Sequence, residues 1–310
     1  MKTTVTNKYG LPQEVVNAIL KDRYTADDDE EYDYSVTTIV APIQQTILAR
    51  KNKNNLVVRD VTDFFWSFLG SIAHQVLEEG WHQSLNSIVE KRLYIDVLGL
   101  RISGKFDCYG NEEIRDYKST KVYKVTKGDY EDWEKQLNVY AYFCEENGYP
   151  VKAIRIIALL FDWKEHEGYK KDYPPAPIQV IKIPFWRKER QRKYIESRVK
   201  KLLRASEMDD LTLAHTYPCS KKEMWQNVKN VSIKKKGNKV ATRSFKTEKE
   251  AQAVFNESYK EKKGYEVITN YSPRKRCFKF CPVANHCPQH KQLCIEEGVL
   301  PEEKEEPTIF

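Results

Sequence analysis

An imidazole, three carboxylates and an amine are spaced along residues 74–118 so that they could serve one metal ion and one phosphate group. The imidazole and first carboxylate sit in Gly70-Ser-Ile-Ala-His74-Gln-Val-Leu-Glu78. On a helix, His74 and Glu78 lie one turn apart and project from the same face. Gly70, one turn earlier, is expected to leave room for a close approach. Asp107 ends the apolar strand pattern that includes Gly104-Lys-Phe-Asp107, and Asp116 follows nine residues later in Asp116-Tyr-Lys118. Two antiparallel strands joined by a short Gly-Asn turn bring those two carboxylates to one point. Hard oxygen ligands of this kind suit Mg²⁺ or Mn²⁺. Lys118 shares a strand face with Asp116, because side chains alternate with a period of two. Its ammonium can hold or deprotonate an attacking water and stabilise a pentavalent phosphate. Taken singly, each group has a bland reading, as a core histidine or an exposed Asp-x-Lys pair. Their order and spacing together point to metal-dependent hydrolysis of a phosphodiester.

The elements that must position these groups are legible in outline. Residues 12–24 read as a short amphipathic helix with a proline near its start, and 27–31 as an acidic loop. A Ser/Thr-rich start, a proline and a helical pattern occupy 35–50, and a long helix is expected over 60–90. Strands follow at 92–97, 100–109 and 113–118, separated by Gly99 and by Gly110-Asn111. Residues 130–147 read as a helix stopped by Asn-Gly-Tyr-Pro. The continuous apolar run at 151–161 predicts a strand buried on both faces. A strand at 178–183 and a basic helix at 186–206 complete this part.

The character changes near Cys219. Residues 228–233 and 239–245 flank Lys-Lys-Gly-Asn and predict a hairpin. Thr247 opens a helix with Glu250 at capping-box spacing. Residues 271–294 are cysteine-rich and loop-like, and 296–310 are acidic. Between residues 216 and 300 there are 18 Lys+Arg against 8 Asp+Glu, while the whole chain carries +7, which leaves the remainder at −3. A basic region beside a near-neutral remainder suggests a polyanion partner. Lys234, Lys235, Lys236, Arg243, Arg274 and Arg276 are the candidate phosphate contacts. The helix at 186–204 adds nine further basic residues. Plentiful aromatics could stack single-stranded bases.

Five of the seven cysteines fall in this basic third. Cys277-x₃-Cys281-x₅-Cys287 is a compact three-thiol loop, and Cys219 is the natural fourth ligand. Four thiolates can hold an iron–sulfur cluster or Zn²⁺. Cys294, His286 and His290 are spare ligands. No run approaches 18 apolar residues, so no membrane span is expected. Nor does the N-terminus carry an apolar export signal, so a cytoplasmic location is expected, the host cytoplasm if the chain is phage-encoded.

The set GxxxHxxLE (Gly70, His74, Glu78), GxxD (Gly104, Asp107), DYK (Asp116, Tyr117, Lys118) and QxxxY (Gln136, Tyr140) resembles the PD-(D/E)XK nuclease superfamily, in its RecB-like branch. The likeness covers roughly residues 35–205. It implies an α/β restriction-endonuclease-like core, a mixed β-sheet flanked by helices. It assigns His74, Asp107, Asp116 and the Tyr117 carbonyl to the metal, Lys118 to catalysis, and Glu78 to the metal or its hydration shell. Gln136 and Tyr140 would contact DNA or orient Lys118; packing of the helix is the alternative.

Pro218-Cys219, Trp225, the basic hairpin and Arg276-Cys277 to Cys287-Pro288-Gln289 look like the C-terminal third of such nucleases common in tailed phages. Cysteine-bearing RecB-like relatives, among helicase-nuclease subunits and CRISPR-associated exonucleases, hold an iron–sulfur cluster. Their first ligand precedes the histidine motif, whereas here no cysteine precedes Cys108. The expected organisation is a helical segment at 1–34, the nuclease core at 35–215, a basic cysteine region at 216–295 and an acidic tail at 296–310. The expected activity is that of a Mg²⁺- or Mn²⁺-dependent deoxyribonuclease, chiefly an exonuclease, in recombination, repair or phage genome processing. A single-strand annealing protein or a helicase would be its partner. The alternatives are a non-catalytic DNA-binding scaffold on the same fold, or a basic metal-stapled adaptor.

Overall fold

The computed structural model describes residues 2–21, 31–82 and 87–299. Residues 22–24 of the first expected helix, 27–30 of the acidic loop and 300–310 of the tail lie outside the described residues, as does the side chain of Glu78. The chain divides into two compact units. The first falls within Met1–Thr46 and Lys53–Glu207, and the second within Ile47–Asn52 and Met208–Glu306.

The first unit opens with β1 (Lys2–Thr6) and α1 (Gln13–Leu20), then β2 (Tyr34–Ser35), α2 (Val36–Val40) and the start of α3 (Ile43–Lys51), whose residues from Ile47 on count with the second unit. Ser35 caps α2, its side chain accepting the Thr38 N–H at 3.2 Å. Such a cap satisfies one of the orphan donors of a helix start. β3 (Leu56–Asp60) pairs in parallel with β1, a strand pair that no sequence pattern announced. The long helix expected over 60–90 is shorter. Asp60 caps a 3-10 turn at Val61–Phe64, and α4 then runs Phe65–His82.

β4 (Ser87–Val89), β5 (Arg92–Val97), β6 (Leu100–Lys105), β7 (Cys108–Gly110) and β8 (Glu113–Thr120) follow. The single strand expected over 100–109 is two strands in two sheets. β6 joins β5 and β2, whereas β7 joins β4 and β8. The chain changes sheet at Phe106-Asp107. Gly104 lies just before this corner, packed so closely that a Cβ would stand 2.9 Å from Val36 Cγ2 and 3.0 Å from Phe143 Cδ1. Asn111 and Glu112 turn β7 into β8 with φ of 53° and 58°. Two left-handed residues in succession match the twist of an antiparallel hairpin.

α5 (Val122–Lys127), α6 (Glu131–Glu146), β9 (Ala153–Leu160), β10 (Ile178–Lys182) and α7 (Lys188–Ser206) complete the unit. β9 lies parallel to β8, so the larger sheet is mixed and runs β10-β9-β8-β7-β4. β9 is not buried on both faces: alternate residues are fully and half buried. α6 packs on strands of both sheets and on α2 and α7. Buried Asn138 on α6 is fully used, donating to the Glu134 and Pro184 carbonyls and accepting the Trp186 N–H. Arg198 of α7 donates to the carbonyls of Ile39 and Ala41 at the end of α2. This meets orphan acceptors of a helix end.

In the second unit, α8 (Asp210–Thr216) is capped by Asp209. β11 (Val228–Lys235) and β12 (Arg243–Phe245) form the expected antiparallel pair, and β13 (Tyr265–Tyr271) adds a third strand on the other edge of β11. α9 (Glu248–Ser258) begins at Thr247, whose hydroxyl accepts the Glu250 N–H, and it packs on this sheet. A π-helical turn at Arg276–Phe280 carries Cys277 and ends at Cys281, and α10 (Pro288–Glu297) starts at the cap Cys287 and carries Cys294. No helix among the described residues is long and apolar enough to cross a membrane.

Candidate active site and cysteine cluster

In the first unit, α4 packs against β8, and this brings the histidine motif to the aspartate strands. Gly70 is not what permits it. A Cβ there would meet Ser119 Oγ at 3.7 Å, an ordinary contact. His74 Nε2 lies 3.1 Å from the Tyr117 carbonyl oxygen. A carbonyl only accepts, so Nε2 carries the proton and Nδ1 is left with a lone pair. Nδ1 stands 3.6 Å from Asp107 Oδ2, just outside hydrogen-bond range. Asp107 Oδ2 also accepts the Tyr117 N–H at 2.7 Å. Cys108 lies opposite Arg115 in the β7–β8 ladder, so Asp107 and Asp116 stand across from each other.

Asp116 is only 2% exposed. Its Oδ2 makes an ion pair at 2.6 Å with Lys118 Nζ, two residues along the same strand. Burial raises the pKa of Asp107 well above the carboxylate range, and the charge of Asp116 adds to this. Burial likewise lowers that of His74, a shift the charge of Asp116 only partly offsets. For Lys118, burial pulls the pKa down, but the charges of Asp116 and Asp107 outweigh it, and the net shift is upward.

The structure therefore brings His74, Asp107 and Tyr117 together and pairs Asp116 with Lys118, while the Asp116 carboxylate is not among the ligand atoms that lie within 4.8 Å of one another. Gln136 and Tyr140 form a pair on α6, Gln136 Nε2 donating to the Tyr140 hydroxyl at 3.2 Å. α6 in turn packs against β8. One acid went unnoticed in the sequence. Ligand atoms of His74, Glu90 and Asp107 all lie within 4.8 Å of one another. Glu90 belongs to no motif, and only the sheet-changing corner brings it here. A second unnoticed feature lies next to the site in sequence. Trp66 and Tyr123 are 58% and 60% exposed. Lys121 Nζ sits 5.9 Å from the Trp66 ring centroid, and Lys127 Nζ lies 5.8 Å from that of Tyr123.

In the second unit, the thiols of Cys219, Cys277, Cys281 and Cys287 lie within one another's electrostatic field. Burial raises the pKa of each, that of Cys277 to about 11. None is in a disulfide. The Gln289 side chain clamps the Cys219 backbone, accepting from its N–H at 2.8 Å and donating to its carbonyl at 2.9 Å. Cys287 Sγ caps α10 by accepting the His290 N–H. Among the described residues, no three cysteine sulfurs come within 4.8 Å of one another. A single tetrahedral zinc would hold its sulfurs about 3.8 Å apart. Cys294 and His290 are buried together, with 3.8 Å between Sγ and Nδ1.

The basic residues divide. Lys235, Lys236 and Arg243 are exposed, and Lys234 is half buried opposite Glu266 in the ladder. Arg276 is half buried, donating to the Glu223 carbonyl with its guanidinium 5.7 Å from the Trp225 ring. Arg274 corrects the sequence reading. It is 1% exposed, ion-paired with Glu297 and bonded to Cys294 Sγ at 3.5 Å, so no phosphate can reach it. Position in a basic run gave no sign that this guanidinium is a core residue.

No protein-family model matches the chain, and no curated protein matches it in sequence. Among solved structures, it is similar to the crystal structure of SSO0001, with a TM-score of 0.43 and 16% identity over 61% of this chain and 85% of that one. It is also similar to a candidate exonuclease from Eubacterium rectale, with a TM-score of 0.31 and 13% identity over 63% and 78% of the two chains. At these scores neither likeness bears on what this chain does.

Proposed function

We propose that this chain is a Mg²⁺- or Mn²⁺-dependent DNA nuclease, an exonuclease in particular, on a PD-(D/E)XK core. One observation carries the reading. A buried aspartate, Asp116, is paired with Lys118 on a central strand and stands across from Asp107, which lies beside His74. An isolated structural ion pair needs neither the second acid nor the imidazole. The donor set also fits a hard divalent ion. The His74 lone pair and Asp107 Oδ2 are 3.6 Å apart with no hydrogen bond between them, and Asp116 Oδ2 has Lys118 as its partner. His74, Asp107, Asp116 and the Tyr117 carbonyl would hold the ion, with Glu78 at the next helical turn.

When bound, that ion supplies Lewis acidity toward a phosphodiester oxygen and acidifies water. The chain does the rest. Asp116 holds the Lys118 ammonium in place, and the ammonium stabilises the negative charge that builds on the phosphoryl oxygens. The Tyr117 backbone locks both sides of the site, its N–H on Asp107 and its carbonyl on the His74 ring. Lys121, Trp66 and Tyr123 suit a flexible strand, with a phosphate contact and ring faces for bases. DNA is preferred to RNA through the family resemblance, and a role in recombination, repair or phage genome processing rests on the same ground. Exposed Lys235, Lys236 and Arg243 would add phosphate contacts.

In the second unit, Cys219, Cys277, Cys281 and Cys287 would hold an iron–sulfur cluster. The x₃ and x₅ spacings of Cys277, Cys281 and Cys287, unlike the paired CxxC of common zinc ribbons, favour this over Zn²⁺.

The test uses end-labelled linear and circular DNA with Mg²⁺, Mn²⁺ or chelator. Asp116→Ala and Lys118→Ala should each lower cleavage at least about 10²-fold while DNA affinity stays within about threefold. Unchanged cleavage in either variant overturns the assignment.

A further inference from the structure

Glu90 is the acid that the motifs do not account for, and its surroundings are built. The chain crosses twice, at the same level, between the five-stranded sheet and the β2-β6-β5 sheet of the first unit. Val89 pairs with Cys108 in one sheet, and Arg92 pairs with Lys105 in the other. Glu90 and Asp107 lie in the two crossings, and the Glu90 N–H donates to the Asp107 carbonyl at 3.0 Å. Glu90 turns this corner with φ of 50°. A non-glycine residue there costs about 1 kcal/mol or more and persists only where surroundings enforce it. The corner delivers its carboxylate to within 4.8 Å of ligand atoms on His74 and Asp107. The other Glu90 contact is an ammonium: Lys105 Nζ lies 2.8 Å from Glu90 Oε2, and both side chains are 20% exposed.

We propose that Glu90 is itself a ligand of the divalent ion, and that Lys105 occupies its carboxylate until the ion displaces it. This rests on the reading of the site as a metal centre. The charge balance favours it. Asp116 has Lys118 as its counter-ion, Asp107 has the Tyr117 N–H, and Glu90 has Lys105. A doubly charged ion at His74 and Asp107 competes with Lys105 for the Glu90 carboxylate. The partly exposed Lys105 ammonium can then regain water, which offsets the loss of its pair. Metal affinity is thereby set below what the ligands alone would give, by a residue that never touches the ion.

Mn²⁺ binding to the full chain, followed by the electron paramagnetic resonance of the free ion at low salt, decides the matter without reference to cleavage. Glu90→Gln should raise Kd at least tenfold. Lys105→Met should lower Kd at least threefold. In the double variant the gain from Lys105→Met should vanish, because it acts through Glu90. Wild-type Kd in Glu90→Gln, weakened binding in Lys105→Met, or a gain that persists in the double variant overturns the proposal. If Glu90→Gln does not fold, Lys105→Met alone still decides by the sign of its effect. The metal reading fails separately: the wild type would bind no Mn²⁺, or His74→Ala would bind it as the wild type does.

Discussion

The two candidate centres of this chain are organised differently. In the first unit, the charged groups hold one another. Asp116 grips Lys118 at 2.6 Å, Asp107 takes the Tyr117 N–H at 2.7 Å, and His74 takes the Tyr117 carbonyl. Strand pairing and a packed core supply this geometry. In the second unit, Cys287 is buried and Cys219, Cys277 and Cys281 are half buried, and burial penalises their charged forms. Among the described residues, the buried aliphatic and thioether side chains of the second unit are few: Ile47, Leu48, Leu213, Met224, Val231, Ile233, Ala251 and Val283. A small core beside partly buried thiols is a region that a bound metal centre would complete. On the proposed function, the first would be a preformed site that takes an ion and the second a region that an ion would complete.

The largest effect should come from the second unit. Cys281→Ala should lose bound metal and lower the folded yield, with amide exchange rising across 208–299 and unchanged across 53–207. Wild-type stability in a metal-free protein would erase the contrast. The first unit should instead respond to packing. Gly104→Ala forces a methyl against Val36 and Phe143 and should cost about 1–3 kcal/mol in denaturant unfolding. Gly70→Ala, with room for its methyl, should be neutral or stabilising by up to about 1 kcal/mol. Equal losses at the two glycines would show that the helix–strand approach, rather than the sheet corner, limits the site.

Basic residues of the second unit sharpen the comparison. Arg274→Met should destabilise by about 2 kcal/mol, since it empties a buried guanidinium site. Lys235→Ala should leave stability within about 0.5 kcal/mol and reduce the salt slope of DNA binding by about 1.

A pH-dependent effect concerns Asp60. Burial pushes its pKa up, but bonds from Thr62, Lys8 and Thr6 outweigh this and hold it at about 2, against an ordinary value of 3.8. A depressed folded pKa means the carboxylate stabilises the fold above the ordinary value. That contribution is lost as pH falls through about 2. Asp60→Ala should cost about 0.5–2 kcal/mol at neutral pH and flatten the acid limb in that window. An unchanged acid limb would remove Asp60 from the account.

Much of the first unit was legible in the sequence because its signals are local. The two-residue period put Asp116 and Lys118 on one face. The helical period placed His74 on the helix that packs on β8, and the apolar run announced β9. Capping residues such as Thr247 marked helix starts for the same reason. What the sequence could not determine depends on how distant segments pack. Glu90 becomes part of the site only because two strands change sheets at one level, and a residue at such a corner belongs to no periodic pattern. The apolar run at 100–106 carries no mark of its division between sheets. Arg274 reads as one more charge in Arg274-Lys-Arg276, yet Glu297 and Cys294 draw it inward. Residue type and spacing settled which chemistry was available. The fold decided which groups meet, because their convergence is a property of pairing and burial rather than of sequence distance.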